Sequence, residues 1–245
     1  MIQRRRIELQ QAYVLHSRPY RNTSVIVEIL TPDYGRTAVL ARGARQIKSR
    51  WQGLLQPFQQ LRLSWLSAGE LGTLTAAEQQ GRGAWLTGTL LASGFYVNEL
   101  MMRLLHRDDP HPELFVYYDG LMRVLAGGAD NDGRPRIERA LRLFEKNALR
   151  ELGYGLMLEH EAAGGRPVDA GAVYQYHPEY GPVRCHDAAQ TAGVLLPGSS
   201  LLSLAADRLD DETSLRDAKH VMRQVLRHCL GGRPLKSREL FHVKY

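Results

Sequence analysis

The sequence predicts an α+β protein: a small five-stranded β-barrel at the N-terminus, then a mostly α-helical domain that carries a short irregular insertion. Three observations predict it. Short apolar, β-branched segments crowd the first 80 residues with turn chemistry between them. Beyond residue 80 the apolar spacing changes to i, i+3/i+4, the period of helices with one buried face. A stretch over residues 164–200, rich in Gly, Pro and Tyr, follows neither period. The expected domains are therefore 1–80 and 81–245, with 164–200 as the insertion and two short strands in it.

The strands come first. Residues 12–16 are short and apolar, and 25–30 (VIVEIL) are β-branched. Thr31-Pro32-Asp33-Tyr34-Gly35 makes a turn, since Pro presets φ and Gly accepts a positive one. Residues 37–41 (TAVLA) return as the partner strand of a hairpin. In 58–66, Leu61, Leu63 and Trp65 alternate with polar neighbours, and 72–76 supply a fifth strand. Five short strands suit a closed barrel, and an SH3-like barrel fits nearly as well.

The helices follow. Residues 85–105 are long and mostly apolar, a central buried helix, since Gly88, Gly94 and Asn98 break any membrane reading. Leu114, Phe115, Tyr118, Leu121, Met122 and Leu125 form a stripe that Gly127-Gly128 ends. Ile137, Leu141, Phe144 and Ala148 form another, closed by Gly153. Leu215, Ala218, Val221, Met222, Val225, Leu226 and Cys229 form a third, closed by Gly231-Gly232. Ser214 and Asp217 resemble a capping box at its start.

Composition narrows the class. Of 245 residues, 44% are apolar and 24% charged, ordinary for a globular protein. No run approaches the ~18 apolar residues of a membrane-spanning helix. MIQRRRIELQ has a basic start but no apolar core behind it, so a secretory signal is not expected. Cys185 and Cys229 are too few for a disulfide framework or a four-thiolate zinc site. These features point to a cytoplasmic, metal-independent protein.

Charge location points to a partner. Residues 1–80 hold 11 Lys and Arg against 5 Asp and Glu, whereas 81–245 hold 21 of each. The excess of +6 therefore sits in the first third, as expected for a surface that meets a polyanion, nucleic acid above all. Its densest part is Arg42-Gly43-Ala44-Arg45-Gln46-Ile47-Lys48-Ser49-Arg50-Trp51, four cations in nine residues with no acid, then an aromatic ring. Cations for phosphates and a ring for a base serve sequence-tolerant binding of single strands. Taken alone, Trp51 would more often fold into the core, since tryptophan is mostly buried. Arg4-Arg5-Arg6 could extend the same surface.

Enzyme signatures are missing. No G-x-x-x-x-G-K-[ST], no G-x-G-x-x-G after a strand and no G-x-S-x-G occurs. His177, Cys185 and His186 match no metal-ligand spacing, and Asp108-Asp109 and Asp210-Asp211 read as solvated helix ends. A binding protein is expected rather than a catalyst, with no cofactor. RNA would be served by the same cations and rings as DNA. A metal-dependent nuclease with scattered carboxylates, or an adaptor for an acidic protein, would also fit this charge.

Several segments together resemble one family. Ala12-Tyr13-Val14-Leu15-His16-Ser17-Arg18-Pro19-Tyr20 with Thr23-Ser24, Gly35-Arg36, Ala41-Arg42-Gly43-Ala44-Arg45 and Leu55-Gln56-Pro57-Phe58 look like the opening of bacterial DNA repair protein RecO. Tyr96-Val97-Asn98-Glu99-Leu100, Phe144-Glu145, Glu151-Leu152-Gly153-Tyr154-Gly155 and Gly231-Gly232-Arg233-Pro234-Leu235-Lys236-Ser237-Arg238-Glu239-Leu240-Phe241 continue it in order across the chain. The resemblance implies an oligonucleotide-binding (OB) barrel on a helical domain. It also implies a recombination mediator that binds single- and double-stranded DNA and anneals strands. Such a mediator engages the acidic tail of single-stranded-DNA-binding protein, acts with RecR to load RecA, and is nucleoid-associated. Some members carry a four-cysteine zinc element where residues 160–200 fall. Only Cys185 stands there, so no metal is expected, and packing of the Tyr- and Pro-rich stretch would hold the shape instead.

On this basis Arg36, Arg42, Arg45, Lys48 and Arg50 are assigned to phosphates and Trp51 to a stacking ring. Arg18 and Arg21 are further candidates, unless they pair with Glu28. Lys236 and Arg238 match the family's C-terminal basic motif. The helix with Arg139, Leu141, Arg142, Phe144 and Lys146 offers apolar surface rimmed by cations for the tail, and Arg142 matches a family position used for it.

Overall fold

The computed structural model describes residues 5–67, 69–81, 85–128, 133–185 and 194–242. Strands β1 (Arg5–Tyr20), β2 (Ser24–Thr31), β3 (Gly35–Ala41), β4 (Gln60–Ser67) and β5 (Gly72–Gln79) close into a barrel in the order β1-β2-β3-β5-β4. Every pairing is antiparallel except β3 with β5, where Val39 faces Gly72 and Leu40 faces Thr73. That parallel closure is the topology of the OB barrel and separates it from the SH3-like alternative. Gly72 has a steric reason: a Cβ there would stand 2.8 Å from the Trp65 ring.

β1 is much longer than the expected 12–16. Its first half pairs with β4 and its second with β2, and the register shifts between Ile7 and Gln10 and between Val14 and His16. Such bulges let one strand turn a barrel corner. At the first, Leu9 has φ +50° and its N–H donates to Ser64 Oγ at 2.9 Å. Inside the barrel pack Val14, Val27, Ile29, Val39, Leu61, Leu63 and Trp65, all buried.

The chain forms two compact units. The first holds residues 1–128 and 235–245, the second 129–234. Besides the barrel, the first contains α1 (Gly88–Leu104) and α2 (Pro112–Ala126), which pack on it. Asn98 of α1 donates to the Leu15 carbonyl at 2.7 Å, and the Tyr13 hydroxyl donates to Asp119 Oδ1 of α2 at 2.7 Å. Gly35, at φ +61°, closes the 31–35 turn, and a Cβ there would stand 2.0 Å from the Asp109 carbonyl oxygen. α1 begins at Gly88, so Trp85 lies before it and is exposed rather than in a buried helix. A terminal 3₁₀ helix, Lys236–His242, docks on α1.

The second unit contains α3 (Gly133–Glu151), a three-stranded sheet, α4 (Gly198–Ala205) and α5 (Glu212–Cys229). The sheet is built from β6 (Val173–His177), β7 (Gly181–Arg184) and β8 (Leu195–Pro197) in the order β7-β6-β8, one strand more than expected for this insertion. α5 is capped by Asp211, whose carboxylate accepts the Ser214 N–H at 2.8 Å. Ser214 is thus not the cap, and Asp217 accepts instead from Ser200 Oγ at 2.7 Å. Among the described residues no helix is long and apolar enough to cross a membrane.

Candidate nucleic-acid interface

OB barrels commonly bind oligonucleotides on the face of strands 2 and 3. Here the outer side of β2 is covered: Ile26, Glu28 and Leu30 are buried, α2 packs on the strand, and Arg107 reaches Glu28. One solvent-facing end of the barrel lies where the 21–23 turn meets the 42–59 loop. The pairing of Val25 with Ala41 brings these two connections together.

The loop cations lie there. Arg42, Arg45, Lys48 and Arg50 border this end, with Arg18 and Arg21 beside them, and each reaches solvent. The loop is wound into turns by Gln46 N–H to Gly43 O and Ser49 N–H to Gln46 O, both 3.1 Å. It is tied to the neighbouring turn by Arg45 N–H to Thr23 O at 2.8 Å, and by Arg45 Nη1 to the Arg21 and Asn22 carbonyls at 3.3 and 3.4 Å. Among the described residues none of these six cations forms an ion pair. Glu28, the competing partner expected for Arg18 and Arg21, is taken by Arg36 and Arg107.

Two expected members are not part of this surface. Trp51 is 4% exposed, packs in the barrel core and donates its indole N–H to the Arg42 carbonyl at 3.1 Å. It offers no free face to a base: the Arg50 guanidinium lies 4.2 Å from its ring centroid. Arg36 turns inward. Its side chain is 14% exposed, its Nε stands 3.9 Å from Glu28 Oε2, and its Nη1 donates to the Met102 carbonyl. Burial pulls its guanidinium below the usual range, opposed by Glu28 and reinforced by Arg107. Sequence spacing could not find Arg107, because its partner is 79 residues away. Nor did it single out Ile47, 93% exposed among the loop cations.

Arg5 and Arg6 pair with Ser67 and Leu66, at the opposite end of β4 from the loop, and Arg6 bonds Glu8 at 2.7 Å, so they do not extend the patch. Arg4 lies outside the described residues. Lys236 is exposed on the 3₁₀ helix, and Arg238 follows it there. That helix is held by Glu99, which accepts from the Lys236 N–H (3.1 Å), the Ser237 N–H (2.8 Å) and the Ser237 hydroxyl (2.7 Å).

In the second unit the three α3 cations expected to receive the tail, Arg139, Arg142 and Lys146, are engaged by their own chain. Arg142 is buried and bonds Glu145 at 2.5 Å. Lys146 is buried, pairs with Asp207 at 2.6 Å and donates to the Leu204 and Ala205 carbonyls that end α4. Neither side chain rims a surface slot. Arg139 is partly exposed and bonds Asp210 at 2.7 Å. In the insertion, buried Tyr174 receives the Asp169 N–H at 2.9 Å and donates to Glu161 at 3.0 Å, and Arg166 and Arg184 flank that carboxylate. Among the described residues no group of three His, Cys, Asp or Glu side chains is arranged to hold a metal, and His186 lies outside them.

Comparison with known proteins agrees with this architecture. The family model described as Recombination protein O N terminal matches residues 6–81, and the one described as Recombination protein O C terminal matches 86–239. DNA repair protein RecO of Coxiella burnetii (strain RSA 493 / Nine Mile phase I) is 42% identical, over 96% of this chain and 98% of its own. The protein of the same name from Nitrosococcus oceani is 45% identical over 96% and 93%, and that from Alkalilimnicola ehrlichii 46% over 96% and 91%. With both family models matched in order and such identity along the chain, the protein belongs to the RecO family of DNA repair and recombination proteins.

Proposed function

We propose that this chain is a recombination mediator that acts by binding, without catalysis. It holds single- and double-stranded DNA on the loop end of its barrel and anneals complementary strands. With RecR it helps load RecA onto DNA coated by single-stranded-DNA-binding protein, in the cytoplasm and at the nucleoid. The observation that carries this is the set of six surface cations, Arg18, Arg21, Arg42, Arg45, Lys48 and Arg50, which have no carboxylate partner among the described residues.

Annealing must overcome phosphate repulsion while leaving bases free to test their pairing. Unpaired surface cations lower that repulsion, and phosphate contacts fix no sequence. Ile47 supplies the apolar contact that the buried Trp51 does not. Lys236 and Arg238 extend the DNA contacts. The acidic tail of single-stranded-DNA-binding protein is received near α3, with Arg139 as its guanidinium, while Arg142 and Lys146 hold that helix in place.

The test is strand annealing with complementary oligonucleotides coated by single-stranded-DNA-binding protein, with and without its tail. Faster annealing that needs the tail, and that is lost on neutralising Arg42, Arg45, Lys48 and Arg50, supports the proposal. Unchanged annealing in that variant overturns the loop assignment. If single-stranded RNA of equal length competes as well as DNA, the RNA alternative takes its place.

A further inference from the structure

The even charge balance of residues 81–245 hides a local excess. From residue 213 to 233 the chain carries Arg216, Lys219, Arg223, Arg227 and Arg233 against one acid, Asp217, with His220 and His228 besides. Arg216, His220, Arg223 and Arg227 recur at i, i+4, i+7 and i+11, so they form one stripe along α5. The stripe lies opposite the buried face of Leu215, Ala218, Val221, Met222 and Val225. Arg223 and Arg227 are exposed, and His220 is half-buried. Arg216 is tied to Asp217 at 3.3 Å, but Arg223 and Arg227 have no ion pair among the described residues.

The stripe runs into a cleft of about 660 Å³ between α5 and β6, lined by Gln175, Tyr176, His177, Gln224, Arg227 and His228. At its edge the His177 and Tyr180 rings stack, with centroids 4.6 Å apart and planes inclined by 18°. A carboxylate, Glu179, stands 3.8 Å from His228 Nδ1 and is engaged there rather than with either arginine.

We infer that the α5 face is a second single-stranded polynucleotide site: Arg223 and Arg227 take successive phosphates, and the cleft beside His177 takes a base. Arg223 and Arg227, four residues apart, stand about 6 Å from each other along the helix axis, close to the spacing of phosphates along an extended strand. Stacked rings and side-chain amides suit a flat, polar base. The lining sets the amide of Gln224 and the imidazoles of His177 and His228 beside the apolar surface of Tyr176 and Pro178, which suits the polar edge and the flat face of a base together. The inference deepens the annealing proposal and rests on it for its purpose: one chain that holds a strand on its barrel loop and another on α5 brings both partners of the reaction onto one molecule.

The test counts short oligothymidylates bound per full-length chain and their salt dependence. The expected stoichiometry is two for the unaltered protein. It is one for R223A/R227A and one for the variant neutralised at Arg42, Arg45, Lys48 and Arg50. With Arg42, Arg45, Lys48 and Arg50 neutralised so that only the α5 site remains, R223A alone or R227A alone should take about 0.7 from the log–log salt slope of the bound oligothymidylate, ~0.7 per phosphate contact. R223K/R227K should keep the site, and His177→Ala should weaken it about tenfold with the slope unchanged. Two oligonucleotides still bound to R223A/R227A overturn this inference whatever the loop variant does. Two still bound to the loop variant overturn the barrel proposal instead. If R223A/R227A loses an acidic peptide but no oligonucleotide, the face is a peptide site and the inference fails.

Discussion

The Tyr118 hydroxyl donates to Asn98 Oδ1 at 2.6 Å, with both residues buried. Asn98 uses its other end to reach the Leu15 carbonyl of β1. One amide thereby fastens the barrel to both helices of its unit, and Tyr13 packs edge-on against the Tyr118 ring at 5.0 Å. Replacing Asn98 with Leu leaves a buried carbonyl and a buried hydroxyl without this partner. A cost of about 3 kcal/mol is expected, and about 1 kcal/mol for Tyr118→Phe. Urea unfolding should resolve the difference, and equal losses would assign the effect to packing.

Arg36 and the loop cations should behave oppositely. Neutralising Arg42, Arg45, Lys48 and Arg50 together should weaken single-strand binding and reduce the log–log salt slope by up to about 2.8, at ~0.7 per contact. Arg36→Ala should leave the slope unchanged and lower stability by about 2 kcal/mol, since it removes a guanidinium held against the buried Glu28. Titration of a labelled oligonucleotide across salt concentrations, beside urea unfolding, checks both.

These contrasts mark where the sequence was legible. Strands whose apolar residues alternate, such as β4, and helices with a clean stripe, such as α2 and α5, lie where the periodicity puts them. β1 exceeds its predicted length because its flanks are polar, bulged and half-exposed, so neither period appears there. Loop cations were legible because no acid stands near them in the chain. The fate of Arg36, Arg142 and Lys146 was not, because packing chose it: Arg107 for the Glu28 beside Arg36, and Asp207 with two carbonyls of α4 for Lys146. Trp51 followed the burial tendency of its type, which local spacing could not decide.

Ile47 separates apolar contact from charge. Ile47→Ser should lower single-strand affinity about fivefold, about 1 kcal/mol of partial apolar burial, without altering the salt slope. Stability should not change, because the side chain is already in water. A changed slope would mean that the substitution has moved the cations.

Arg142 is expected to matter for stability rather than for partner capture. Arg142→Met removes the guanidinium from the buried Glu145 and should cost about 3 kcal/mol. Adding Glu145→Gln should recover part of that loss, because the carboxylate charge goes with it. The folded Arg142→Met protein should bind an acidic tail peptide as before, whereas Arg139→Ala should bind it less tightly. Calorimetric titration with the peptide, beside a double-mutant cycle in urea, distinguishes the two roles.

Glu99 links the 3₁₀ helix to pH. Burial alone would raise its carboxyl. The Ser237 N–H and hydroxyl, the Lys236 N–H and the Arg103 guanidinium outweigh that and hold it below the ordinary carboxylate range. A depressed carboxyl contributes stability that is fully present above the unfolded value, about 4.3 for Glu, and is lost as pH falls through the folded value below it. Glu99→Gln should therefore be destabilised by about 2 kcal/mol at neutral pH, from weaker charge-assisted hydrogen bonds. The gap between the two proteins should narrow as the pH drops below about 4. Denaturant unfolding at stepped pH measures it, and a gap that stays constant into acid would place the effect in packing rather than in the carboxylate's charge.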